Sequence, residues 1–455
     1  MSRGMNGISE LAASIVGRRV GDAAISDKLR LHVADTVGAL VAAAGTAEGK
    51  ALAGFRRELQ ALGAAADILD DVALFCALAR LSEVDDIHLA SMTTPGSIVI
   101  PTALILAARL DLADDVDLAP AILGGYEAMV RLGRAINGPA ILYRGIWPTY
   151  FTAACGSAAV TARLLRLPEV QTAHALALAL TMSAPSVGQH HSVSTARWLS
   201  VGAAARNGVS AALAAGAGFT ADLDVMRSRL MPDVYGIEPD LSALTDGLRE
   251  RVALAEVSFK PWCAARQTMA ATQAVREFIE SGTAPEQIIE VAAAVPPPHV
   301  KMIDHGVKAG DRASFITSLP YQIAVAVLQT QKQLDLVPVP GMPSSALQTF
   351  MARVSVKADD RLLTNYPAQW PANVTLVTVQ GRRERRISHV PGDPARPLSE
   401  AHIAEKFQRL VAPVLREEVD PLWQSALDAL RSAQAPRRLV ERLDEIMSAR
   451  EIASA

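Results

Sequence analysis

Residues 83 to 101 read Glu83-Val-Asp-Asp-Ile-His-Leu-Ala-Ser-Met-Thr-Thr-Pro-Gly-Ser-Ile-Val-Ile-Pro101. An apolar run from Ala73 to Leu81 at helical spacing leads into three carboxylates and a histidine. Pro95 and Gly96 then break the chain, and a second apolar helix begins, with Ser97 and Pro101 in its first turns. The open N–H groups at that helix start attract anions, and the Asp85, Asp86 and His88 side chains put proton-transfer groups a few residues away. The alternative is purely structural: aspartates that cap helix ends and a solvated histidine.

Outward from this stretch, the 455 residues are 50% hydrophobic but only 4% aromatic, so Ala, Leu and Val on packed helices must fill the interior. That length predicts two or three domains. A net charge of -3 gives no general attraction to nucleic acid or to anionic membranes; the one dense basic run spans 382 to 386. Cys76, Cys155 and Cys263 are odd in number and far apart, which argues against a disulfide framework or a structural zinc. Met1 to Glu10 is polar and lacks the apolar segment of a signal peptide, and no run has transmembrane length. The expectation is a soluble protein of the cytoplasm.

Helical patterns recur at Ser26 to Gly45, Ala73 to Leu81, Ser97 to Leu110, Leu118 to Ile136, Phe151 to Leu167, Val170 to Met182 and Ala196 to Ala215. After Pro261 the texture changes. Glu286 to Val295 reads as a strand stopped by Pro296-Pro-Pro298, Val354 to Val356 alternates, and Val374 to Val379 with Arg385 to Val390 reads as a hairpin around Gly381. Helices return at Ser399. The predicted fold is mainly α, a large all-helical domain from 1–265 and 400–455 with a smaller inserted α+β domain, 266–399.

The opening stretch resembles the signature of the MmgE/PrpD family, the group of 2-methylcitrate dehydratase, cis-aconitate decarboxylase and iminodisuccinate epimerase. Further along, the resemblance is carried by Asp35-Thr-Val-Gly38, Gly124-Gly-Tyr-Glu127 with Arg131-Leu-Gly133, Pro148-Thr149 before Gly156-Ser-Ala-Ala159, Gly202-Ala-Ala-Ala-Arg206 with Gly208, Lys260-Pro261 with Cys263, and Ser318-Leu-Pro-Tyr321. Each is weak singly; in this order they cover nearly the whole chain. The resemblance implies the same two-domain plan, the smaller domain acting as a lid, with a homodimer and no metal or other cofactor.

It also implies site residues. Lys260 matches the family's lysine, whose ammonium can neutralise a substrate carboxylate or the enolate formed beside it. Asp85 and His88 are candidates for moving a proton, and Tyr321 matches a tyrosine presented from the lid. Arg197 falls where the family carries lysine, and its planar fork suits a carboxylate. Arg266 and Gln267 are further anion contacts. His190-His191, His299, Lys301 and His305 are additional candidates, and no ligand spacing among them makes a metal site.

Three departures shape the functional reading. The histidine of the family's His-Pro loop is Thr94, the histidine of a second segment is Trp147, and the threonine after the Asp pair is Ile87. Groups that titrate near neutrality are thereby lost. Trp147, Trp198 and Trp262 all lie within family motifs, and indole brings apolar area with a single donor. The expectation is a cofactor-free lyase or isomerase acting on a small carboxylate-bearing substrate more apolar than methylcitrate. Thr94, Trp147, Trp198 and Trp262 would line the substrate. The alternative is a catalytically degenerate member that only binds a small molecule.

Overall fold

The computed structural model describes residues 6–62, 67–110, 112, 118–183, 194–248, 250–338, 340–415 and 418–452. It divides into two compact units. One holds the described residues up to 183 with 194–257 and those from 400 onward; the other spans 258–399.

The first unit is helical. Helix Ala23–Ala44 starts on the Asp22 side chain, which accepts the Ile25 amide at 2.9 Å, and buries Leu29, Val33, Val37, Leu40 and Val41. Helices Ile68–Leu81, Gly96–Arg109, Leu118–Ala135, Pro148–Leu164 and Ala196–Gly216 are buried over most of their lengths, as expected of helices apolar on more than one face. Their close approach depends on missing side chains. A Cβ at Gly202 would lie 2.4 Å from the Ala73 carbonyl oxygen, and one at Gly208 would lie 2.0 Å from that of Ala154. Helix Ala196–Gly216 is therefore pressed against both Ile68–Leu81 and Pro148–Leu164, which fixes where its first residues, Arg197 and Trp198, stand. Helix Glu400–Leu415 packs on Ala23–Ala44, where Lys406 Nζ meets Asp35 Oδ1 at 2.6 Å.

The second unit carries the α+β structure. Strands β1 (Ile288–Val295), β2 (Val354–Ala358), β3 (Ala372–Thr378) and β4 (Gly381–Ile387) form one sheet in the order β2-β1-β3-β4. β1 and β2 run parallel; β1 with β3, and β3 with β4, run antiparallel. β3 alternates, with Ala372, Val374 and Leu376 buried, and the sheet packs against helix Arg266–Glu280. Two details differ from the sequence expectation. Pro285–Gln287 form a 3-10 turn before β1, so the strand starts at Ile288. The basic run belongs to β4 itself, after a tight turn completed by Gly381 at φ +125°. Arg385 bonds Glu277 at 2.7 Å and Arg383 bonds Thr283 at 2.8 Å, so part of the run ties the sheet to its helix.

All three cysteines are buried and unbridged. Among the described residues no helix is long and apolar enough to cross a membrane, and no group of three or more His, Cys, Asp or Glu side chains is placed to hold a metal ion.

Candidate active site

The stretch from Glu83 to Ser97 is a buried knot. Helix Ile68–Leu81 ends at Ser82, whose hydroxyl donates to the Ala79 carbonyl at 2.8 Å, and Glu83 turns the chain with a left-handed φ of 50°. The His88 amide donates to the Thr93 carbonyl at 2.8 Å, closing the loop on itself.

Asp86 is the organising group. Its Oδ1 accepts the Gly96 amide at 2.8 Å, its Oδ2 accepts the Tyr126 hydroxyl at 2.6 Å, and His32 Nδ1 stands 3.0 Å from Oδ2. The anion expected at this helix start is thus the protein's own carboxylate. Burial holds the His32 imidazole below its ordinary value despite Asp86, while burial and then the Asp86 charge push the Tyr126 phenol up. Asp85 faces different partners: Arg80 Nη1 lies 3.3 Å from Asp85 Oδ1 and 2.9 Å from Glu83 Oε1, all three side chains being buried.

His88 is also buried. Its Nδ1 accepts the Ser91 amide at 3.1 Å, which leaves the proton on Nε2, 3.2 Å from Glu256 Oε2. Burial outweighs the Glu256 carboxylate and holds the imidazole below its ordinary value, so it stays neutral near pH 7. A solvated histidine is not what the fold contains.

Thr94, at the position of one family histidine, meets Thr149, which lies two residues after Trp147 at the position of the other. The Thr94 amide donates to Thr149 Oγ1 at 3.0 Å, and the two hydroxyl oxygens lie 3.2 Å apart. This joins the 94 loop to the start of helix Pro148–Leu164, for which Trp147 is the N-cap residue. The Arg197 guanidinium carbon sits 5.1 Å from the ring centroid of Trp147 and 5.5 Å from that of Trp198. All three side chains are buried. Tyr150, one turn beyond Trp147, packs edge-on against its ring at 5.7 Å between centroids. Burial pushes the Tyr150 phenol up to about 12, with the charges of Arg80 and Arg197 pulling the other way. The helical unit therefore gathers Asp85, Arg80, Tyr150, Trp147, Arg197 and Trp198 into one neighbourhood, while His88 makes its contacts with Ser91 and Glu256.

Two members of that group were absent from the sequence expectation. Arg80 is the single charge in the apolar run Ala73 to Leu81, and Tyr150 follows Pro148-Thr149 directly. A lone charge in a buried stretch and an aromatic one turn from a motif residue were the available signals.

In the α+β unit, Lys260 and Trp262 are buried, and the Arg276 guanidinium carbon lies 5.1 Å from the Trp262 ring centroid. The Cys263 amide donates to the Gln333 carbonyl at 3.1 Å and the Ala265 amide to that of Ile316 at 2.8 Å, which laces the segment into this unit. Arg266 Nη2 bonds both oxygens of Asp393, at 2.7 and 3.0 Å, so its charge is met within the protein. Gln267 follows it, buried, in the first turn of helix Arg266–Glu280. Tyr321 packs edge-on against Phe315 and lines a cavity of about 310 Å³ together with Cys263, Gln322 and Gln333. Burial and the nearby Asp335 raise its phenol above the ordinary value. His299 is buried edge-on against Trp370 and Tyr366, and burial lowers it to about 3. His305 bonds the Met302 carbonyl and Thr317. His190 and His191 lie outside the described residues.

The sequence pattern of the MmgE/PrpD N-terminal domain matches residues 9–230, and that of the MmgE/PrpD C-terminal domain matches residues 262–431. No curated protein matches the chain.

Proposed function

The chain belongs to the MmgE/PrpD family, and on that premise we propose that it is a cofactor-free lyase or isomerase that removes a proton or carbon dioxide beside a carboxylate of an apolar substrate. Members of the family are generally lyases of the dehydratase type, which supports an enzyme. One observation carries the substrate class: a buried guanidinium, Arg197, stands against the indoles of Trp147 and Trp198. A fixed cation between apolar walls suits an acid whose carboxylate is followed by hydrocarbon or aromatic bulk, not a tricarboxylate.

The chemistry follows from charge. Loss of a proton from the carbon beside a carboxylate builds negative charge on the carboxylate oxygens, and a desolvated guanidinium stabilises that charge more than bulk water does. Asp85 is the carboxylate of the acidic run that shares the neighbourhood of Tyr150 and Arg80, and we assign it as the base. Roles for Lys260 in charge stabilisation and for Tyr321 in proton donation rest on the family resemblance. Wild-type protein and Lys260→Ala are to be compared by proton NMR against a mixed panel of small polycarboxylates and larger apolar unsaturated acids. Lysine-dependent conversion confined to the apolar acids is the expected result. Full activity of Lys260→Ala with the turned-over acid would overturn the assignment.

A second reading has its own observation. Thr94 and Trp147 do not titrate near neutrality, and both ring nitrogens of His88 are engaged, Nδ1 by the Ser91 amide and Nε2 by Glu256, which favours a protein that binds an acid without converting it. Binding without turnover across the panel would select this reading.

A further inference from the structure

Tyr150 and Trp147 carry a feature that neither packing nor the helix start explains. Both side chains are buried, Tyr150 at 0% and Trp147 at 6% exposure. Among the described residues neither the Tyr150 hydroxyl nor the Trp147 indole Nε1 has a hydrogen-bond partner. A buried donor without an acceptor is destabilising, and most such groups in folded proteins are satisfied. These two are neighbours through their rings, 5.7 Å between centroids, and Arg197 stands 5.1 Å from the same indole. Two orphaned donors beside one guanidinium have the complement of a single ligand group: an anion with two or more acceptor oxygens.

We propose that Tyr150 Oη and Trp147 Nε1 are the neutral donors of a carboxylate-selecting subsite whose positive charge is Arg197. This rests on the reading of an apolar acid as substrate and names the residues that choose acid over amide. A carboxylate offers four lone-pair directions and accepts from a phenol, an indole and a guanidinium together. A carboxamide of the same shape must present its NH2 group to at least one of three donors, which leaves a donor facing a donor. The subsite therefore discriminates by hydrogen-bond polarity as well as by charge.

The test uses the full chain and the matched probes 4-fluorophenylacetate and 4-fluorophenylacetamide, titrated by fluorine NMR, with thermal unfolding of each variant without ligand. Wild-type protein is expected to bind the acid at least tenfold more tightly than the amide. Tyr150→Phe is expected to reduce that ratio at least fivefold while its unfolding temperature without ligand stays equal or rises, because the substitution removes an unsatisfied hydroxyl and keeps the ring. A structural role for the hydroxyl would instead lower the unfolding temperature and leave the ratio alone. Trp147→Phe, which keeps an aromatic ring and removes the N–H, is expected to reduce the ratio in the same sense. An unchanged ratio in both variants, or equal affinity of wild type for acid and amide, overturns the proposal. Acid-selective binding without turnover on the panel above would keep this subsite and defeat only the enzymatic reading.

Discussion

Asp86 Oδ1 accepts the amide of Gly96 at 2.8 Å, so the N-terminus of helix Gly96–Arg109 is satisfied by a carboxylate ten residues earlier in the chain. The same carboxylate takes the Tyr126 hydroxyl. A Cβ at Gly96 would lie 2.5 Å from Asp86 Oδ2 and 2.8 Å from the Tyr126 hydroxyl, so the glycine is required by contact rather than by backbone angle. Gly96→Ala is expected to destabilise the protein by about 1–3 kcal/mol through overpacking. Asp86→Ala, which strands two buried donors, is expected to cost roughly 2–5 kcal/mol. Denaturant titration with circular dichroism reads both; a neutral Asp86→Ala would contradict the structural role.

The Asp35–Lys406 pair joins helix Ala23–Ala44 to helix Glu400–Leu415 with both side chains buried, and Lys406 also donates to the Val84 carbonyl at 3.0 Å. Burial raises the Asp35 carboxyl, with Lys406 opposing the shift. Removing one partner leaves an uncompensated charge, so Lys406→Met is expected to cost about 3–5 kcal/mol, and adding Asp35→Asn to recover much of it. A double-mutant cycle by thermal and chemical unfolding checks the recovery; additive losses would show that the pair is not coupled.

Two buried histidines set an acid limit. The folded-state values of His32 and His88 are both held below 6.5 by burial, so the unfolded chain takes up their protons first as the pH falls. Stability from these groups is fully present above about pH 6.5 and declines below it, by up to about 1.4 kcal/mol per pH unit for each histidine. Asp35, whose value is raised, acts in the opposite sense because the folded form takes up its proton first as the pH falls. Unfolding midpoints between pH 5 and 7 are expected to level off above 6.5 and to fall below it, with a shallower fall in His88→Gln. An unchanged slope in that variant would sever His88 from the acid response.

Much of this was legible in the sequence, and the remainder shows where single-chain reading stops. Helices such as Leu118–Ala135 and Ala196–Gly216 announce themselves by apolar spacing, and the sheet strands by alternation after Pro261, because both periods follow from local backbone geometry. The partners of the acidic run do not. Asp86 meets His32 and Tyr126, and His88 meets Glu256, 168 positions later; only tertiary packing brings them together. The helix start near Ser97 reads as an open anion site in sequence because Asp86 is invisible as its occupant. Arg266 reads as an anion contact for the same reason, its partner Asp393 lying 127 positions away.

Trp147 is the residue through which the substrate class can be changed. Its indole flanks Arg197 and occupies the position of a family histidine. Trp147→His restores a titratable group and removes bulk, so the ratio of kcat/KM for a small dicarboxylate over an aryl acid is expected to rise roughly tenfold or more. Steady-state rates on the two acids measure this. An unchanged profile would mean that the indole does not line the substrate.

The most direct measurement is incorporation of solvent deuterium into a bound apolar acid, followed by proton NMR in heavy water for wild type and Arg197→Met. The proposed chemistry predicts loss of the signal of the hydrogen beside the carboxylate in wild type, slowed at least a hundredfold in the variant, about 2.7 kcal/mol of lost stabilisation. Exchange at the wild-type rate in Arg197→Met would contradict the claim that this buried guanidinium stabilises the developing charge.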